Sequence, residues 1–265
     1  MPLHILDLPV DILALILTPL LVQEDPIPLC PCGYLADSTT GLAVDPLSIL
    51  LIHPAIHAIS APLFYQGNAF VLDLRWKHGP HVRRCLDEQA EDEAHLDASR
   101  HLDGPEDDGT IHRRRHLLTM RPALRRIRCL EMRIVKLRAW IDTQIVPFIK
   151  DMIVSGSLAE LYIKISAAAA AAAGGSNSMF TRPPLAGLLA ILRDPYLRTA
   201  RLWVSASAGH GAWQPFRLPC STSAHGAGRE VKGEEAELVQ IDWARIVKML
   251  DPEGRAVAVM TGGRT

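Results

Sequence analysis

The sequence predicts an α+β fold: an N-terminal helical module, then a small mostly parallel sheet with helices on one side. Three observations point there. Apolar residues recur at helical spacing through much of the first 65 residues. Three alternating segments, Leu130-x-Met132-x-Ile134, Leu161-x-Ile163-x-Ile165 and Leu202-x-Val204-x-Ala206, read as strands. The steps between them, 31 and 41 residues, leave room for helical crossovers, which parallel neighbours require. A chain of 265 residues that is 48% apolar and 22% charged has enough core to fold. That composition excludes a wholly disordered, collagenous or coiled-coil protein.

The first element is a helix over Leu8 to Leu21. Pro9 suits its first position, where a missing N–H costs nothing, and Asp11 complements the positive first turn. Leu13, Ile16 or Leu17, and Leu20 form its stripe, and Pro19 bends or ends it. A loop rich in Pro, Gly, Ser and Thr runs from Val22 to Val44. Asp45 caps a second helix that starts at Pro46, with Leu47, Leu50 and Leu51 on one face. His53-Pro54 breaks it, because the residue before proline avoids helical backbone. A third helix runs from Ala55 to about Tyr65, with Ile56, Ile59 and Leu63 at helical spacing. Asn68 to Leu74 is the first strand, with Phe70, Leu72 and Leu74 on one face.

The C-terminal half alternates strands and helices. Helical patterns run through Trp140 or Ile141, Ile145, Phe148 or Ile149, and Met152 (with Pro147 as a candidate kink), through Leu185, Leu188 or Leu189, and Leu192, and from Val239 through Trp243, Ile246 and Leu250. The strand steps exceed the roughly 20–29 residues of a regular leucine-rich repeat. Part of the excess is Ala167 to Ala173 and the Gly/Ser/Asn run after it, read as a loop expansion.

The net charge of −1 hides segregation. Asp87 to Asp108 holds ten acids and one base; His112 to Arg138 holds ten bases and one acid. The acidic block reads as a mobile surface insertion. The expected divisions are 1–75 (helices and first strand), 76–116 (charged insertion), 117–252 (α/β repeats) and 253–265 (tail).

Chemistry-bearing motifs are missing. There is no G-x-G-x-x-G, Walker A, H-E-x-x-H or G-x-S-x-G. His53/His57 and His112/His116 have i, i+4 spacing but no obvious third ligand, so no metal site is expected. Cys30-Pro-Cys32 lacks the second pair that would complete a zinc site. Five scattered cysteines argue against a secreted disulfide framework. No aromatic is interleaved in the basic block, so nucleic acid is not an expected partner. Trp203 points away from Leu202 and Val204; core packing is the plainer reading and an interface anchor the sharper one. The first 22 residues fit neither a signal peptide nor a membrane span. The protein is expected to be cytoplasmic or nuclear, to need no cofactor and not to be an enzyme.

Leu8-Pro9-Val10-Asp11-Ile12-Leu13 resembles the opening of an F-box, Leu-Pro followed by an aliphatic stripe. The run Ile49 to Tyr65, followed by Asn68-Ala69-Phe70, is similar to F-box-like proteins of filamentous fungi, in which a helix pair leads through Asn-x-Phe into a strand. The repeated strands are similar to the irregular leucine-rich-like regions that often follow an F-box. The resemblance covers about the first 74 residues. It implies a substrate receptor of an SCF-type ubiquitin ligase, binding a Skp-type adaptor through Leu8, Pro9, Ile12, Leu13 and Ile16 and holding an unknown protein target. Such a receptor works by tethering. The alternatives are a non-ligase interaction protein, with these helices packed into one domain, and an enzyme of unrecognised type.

Overall fold

The computed structural model describes residues 5–30, 46–75, 78–87, 121–166, 180–181, 183–205, 213–219 and 238–252. The protein is mixed α/β, with a mostly parallel sheet of six strands in the order β1-β2-β3-β4-β5-β6. The strands are β1 (Ile27–Pro28), β2 (Ala69–Asp73), β3 (Cys129–Ile134), β4 (Glu160–Ile165), β5 (Thr199–Ser205) and β6 (Leu238–Ile241). The chain forms two compact units, Met1–Glu131 with Asp151–Ala159, and Met132–Lys150 with Glu160–Thr265.

The first unit begins with helix α1 (Val10–Leu21). Pro9 stands at its N-cap, one position earlier than expected, and its carbonyl accepts from the Ile12 and Leu13 N–H groups at 3.0 Å. Pro19 does not end the helix. The Val22 N–H closes on the Thr18 carbonyl at 2.8 Å, so the last turn is bonded on both sides of the missing donor. The expected long loop contains β1, which pairs parallel with β2 (Ile27 opposite Phe70); residues 31–45, Asp45 among them, lie outside the described residues.

Helix α2 (Pro46–Leu51) buries Ile49 and Leu50, but Leu51, expected on the same face, is 83% exposed. Helix α3 (Pro54–Gly67) buries Ile56, Phe64 and Tyr65. Phe64, Tyr65 and Phe70 form an aromatic cluster, with Phe64 edge-on to both neighbours at 5.1 and 5.6 Å. Such pairs add to the burial of the rings themselves. Residues 78–87 form α4, a helix that no apolar periodicity in the sequence predicts; Val82 and Cys85 are buried on it. Asp87 belongs to this helix, facing Arg83 at 3.7 Å, while the rest of the acidic block lies outside the described residues. Helix α5 (Arg121–Leu124) leads into β3.

In the second unit a π-helical turn, Ile141–Ile145, runs into α6 (Val146–Val154), which belongs to the first unit from Asp151 onward. The cause of the turn is Pro147, which has no N–H to offer a carbonyl four residues back. The ladder instead slips to i−5, with the Val146 N–H on the Ile141 carbonyl. Helix α7 (Leu185–Leu192) buries Leu185, Leu188, Leu189, Ile191 and Leu192. The β4/β5 pair is parallel, yet Leu202 lies opposite Ile163 rather than Leu161, two residues off the repeat seen in sequence. β6 is antiparallel to β5, with Leu202 opposite Ile241. Val239, expected to start the last helix, belongs to this strand. Asp242 stops it, accepting from the Arg245 N–H at 3.0 Å to cap α8 (Trp243–Leu250). Phe180, Trp213 and Phe216 pack edge-on at 5.1 and 5.6 Å.

Candidate functional site

Helix α1 is seated on α3 through Leu13, Leu17 and Leu21, an i, i+4, i+8 stripe. The joint is closed by Asn68, which is 2% exposed. Its Nδ2 donates to the Leu21 and Phe64 carbonyls, both at 2.8 Å, and its Oδ1 accepts from the Gln23 N–H at 2.7 Å. One amide therefore satisfies the C-terminal ends of two helices. The Asn-x-Phe motif has a physical basis here: Asn68 locks the helices and Phe70 fills the cluster beneath them.

This seat leaves the adjoining stripe of α1 uncovered. Ile12, Ile16 and Leu20 are about as exposed as one another, with Ile12 and Ile16 at 43%, and Val10 and Leu15 are more exposed still. Of the five residues expected to meet an adaptor, Pro9, Ile12 and Ile16 are exposed and Leu8 is half-buried. Leu13 is 3% exposed and is part of the seat. Val10, Leu15 and Leu20 extend the apolar face and were not singled out for it. Helical periodicity alone cannot tell the seated stripe from its neighbour, because both are aliphatic.

The histidine pair on α3 serves structure. His53 Nδ1 accepts from the Ala55 N–H at 3.1 Å, capping the helix. His57 Nδ1 lies 3.0 Å from the Leu50 carbonyl, and its Nε2 lies 3.2 Å from the Arg126 guanidinium. A carbonyl only accepts and a guanidinium only donates, so the two contacts match the tautomer that carries its N–H on Nδ1. His112 and His116 lie outside the described residues. Burial pushes the Tyr65 hydroxyl above its ordinary range, partly offset by the charge of Arg126. Cys30 is disulfide-bonded, which the scattered spacing does not suggest, and its Sγ is 3.1 Å from His81 Nδ1; Cys32 lies outside the described residues. Cys85 and Cys129 are not in disulfides.

The basic block is partly absorbed by folding. Arg125 forms a two-pronged pair with Asp151 at 2.9 and 3.1 Å. Hydrogen bonding to Arg125 holds the Asp151 carboxyl below its usual range, against a smaller opposing effect of burial. An unfolded Asp titrates near about 3.9. The pair thus stabilises fully above that pH, and the contribution is lost as pH falls through the lower folded value. Thermal midpoints measured from about pH 5 down to about pH 2.5 are expected to fall more steeply for the wild type than for Asp151→Asn. Parallel curves would refute this linkage.

In the second unit a shallow open groove of about 540 Å³ lies beside α8, lined by Arg193, Trp243, Lys248 and Asp251 among others. Arg193 faces Asp251 at 3.6 Å, and among the described residues no nucleophile–base pair lines the groove. Among the described residues no three metal-ligating side chains converge, and no helix is long and apolar enough to cross a membrane. Trp203 and Tyr162 are half-buried on the sheet face opposite Leu202 and Ile163.

No protein-family model, curated protein or solved structure matches the chain. What can be said of function therefore rests on the residues themselves.

Proposed function

We propose that this chain is an F-box-like protein-interaction adaptor, a substrate receptor of an SCF-type ubiquitin ligase. Helices α1 to α3 dock a Skp-type adaptor, and the α/β region, an irregular leucine-rich-like array, holds a target protein. The observation that carries this reading is the double character of α1. Leu13, Leu17 and Leu21 seat it, yet Pro9, Ile12 and Ile16 remain open to a partner. A helix aliphatic on both the seated and the adjoining stripe is costly to leave in water, at about 25 cal/mol per Å² of apolar surface. The strand order following chain order agrees with an array built by stacking successive βα units.

Bond chemistry is not asked of the protein. It raises the target's effective concentration beside a ubiquitin-charged enzyme. Capture of purified Skp-type adaptor by the immobilised chain tests the reading. Ile12→Asp with Ile16→Asp is expected to weaken capture by about 100-fold or more, since each buried isoleucine is worth about 1.5–3 kcal/mol. Both positions are exposed, so the thermal midpoint is expected to stay within about 2 °C of wild type. Failure of the wild type to capture the adaptor, or equal capture by the double variant, would overturn it.

A further inference from the structure

We infer that the partner received by α1 is a protein whose apolar groove is bordered by lysine or arginine at both ends. The inference rests on the adaptor reading for which protein that is, but the chemistry of the groove is argued from α1 itself.

Along the chain, the open stripe of Ile12, Ile16 and Leu20 lies between exposed acids. Asp11 stands at its start, one helical turn from the exposed Leu15, and Glu24 and Asp25 follow the last turn. The helical rise from Asp11 to Leu21 is about 15 Å, so the acids mark the two ends of the stripe. The carboxylates of Asp11, Glu24 and Asp25 have no partner among the described residues. Asp7, also exposed, already has one and is not counted. The helices supply no counter-charge, because the first 74 residues contain no Lys or Arg. Arg126 reaches α3 from outside this stretch, but there it meets His57.

Helix electrostatics explains one of these acids and not the others. Asp11 complements the positive first turn of α1. Glu24 and Asp25 stand past the negative pole, where bases are favoured. Their charge is left for a partner to answer.

Three occupants compete for the stripe. An anionic bilayer draws helices with Lys and Arg on the polar side, and α1 has neither. A second copy sets acid against acid in either orientation, because both ends of the stripe are acidic. A protein groove with bases at both ends covers the aliphatic side chains and matches the acids together.

The test is fluorescence anisotropy of a labelled amphipathic peptide, (Leu-Lys-Lys-Leu-Leu-Lys-Leu)2, against the full chain. The same peptide with every Lys replaced by Glu runs in parallel. Saturable binding of the Lys peptide is expected, about 10-fold tighter or more than that of the Glu peptide. Ile12→Ser with Ile16→Ser, which leaves the charge unchanged, is expected to weaken it by about 10-fold or more. Glu24→Lys with Asp25→Lys is expected to weaken it by about 10-fold, and Asp11→Asn by about threefold. Raising NaCl from about 50 to 500 mM is expected to weaken wild-type binding more than that of the Lys pair variant. Equal affinity for the two peptides, or binding that Glu24→Lys with Asp25→Lys leaves unaltered, would overturn the inference. Binding to phosphatidylserine vesicles, or dimer formation, that the Ser pair abolishes would overturn it as well. The Lys pair is also expected to weaken adaptor capture by about 10-fold. Capture indifferent to that pair and to salt would overturn the inference and leave the adaptor reading standing. Peptide binding as expected without any adaptor capture would overturn the adaptor reading and leave the groove chemistry standing.

Discussion

Replacing Asn68 by alanine is expected to cost the fold about 3 kcal/mol and to lower the thermal midpoint by roughly 6–12 °C. The side chain is almost wholly buried and makes three hydrogen bonds, all to backbone groups. Its loss orphans the Leu21 and Phe64 carbonyls and the Gln23 N–H. A buried orphan costs about 1–3 kcal/mol, and a water entering the vacated space recovers part of the total. Asn68→Asp separates the contributions. It keeps an acceptor for Gln23 but loses both donors and sets a carboxylate against two carbonyl oxygens, so it is expected to be worse than alanine. Because Asn68 fixes α1 on α3, both variants are also expected to weaken adaptor capture. An unchanged midpoint in Asn68→Ala would show that the amide does not hold the joint.

The elements legible in the sequence were those with strong periodicity. Strands β2 to β5 and helices α1, α3 and α7 lie where alternation or helical spacing put them, because each buries one face and must alternate to do so. What escaped were elements too short for a period. β1 is two residues long and is recognisable only by its partner, β2. β6 is four residues long, and Val239 continued the helical spacing of Trp243 and Ile246 by coincidence. Only the Asp242 cap separates the strand from the helix, and a capping Asp between two apolar runs was the overlooked signal.

The candidate site was legible in type but not in facing. Leu13 and Ile16 look equivalent in a list of aliphatic positions, yet one is seat and the other surface. The distinction is made by α3 and Asn68, distant in sequence, so no window on α1 contains it. Leu51 shows the same limit, since a six-residue helix has too few turns to define a face. Trp203 was visible only as a side chain pointing away from its neighbours. Its place opposite Lys164 follows from the β4/β5 register, which the two-residue offset from the repeat conceals.

Gly156→Ala is expected to destabilise the protein by about 3 kcal/mol or more, a loss confined to one methyl group. A Cβ at Gly156 would press on the Met152 carbonyl oxygen and lie 2.7 Å from the Arg125 carbonyl oxygen and 3.0 Å from the Arg125 Cα. These are backbone atoms on both sides, so no side chain can rotate to make room. The same two carbonyls are in use: Ser157 donates to Arg125 at 2.8 Å and Leu158 to Met152 at 3.3 Å. The methyl group therefore forces apart the bonds that bring the chain from α6 back toward β4. Gly67→Ala is the control. There the added Cβ meets the Val22 side chain, Cγ2 at 3.0 Å and Cγ1 at 3.9 Å, and no backbone atom, at the end of a helix. Alanine's better helix propensity, worth about 1 kcal/mol, offsets that displacement, so Gly67→Ala is expected within about 1 kcal/mol of wild type. Urea unfolding of the two variants side by side distinguishes backbone contact from a general penalty for replacing glycine. Equal stability of Gly156→Ala and Gly67→Ala would remove the steric explanation. A gap of about 3 kcal/mol would place the constraint at the crossing of residues 125 and 156.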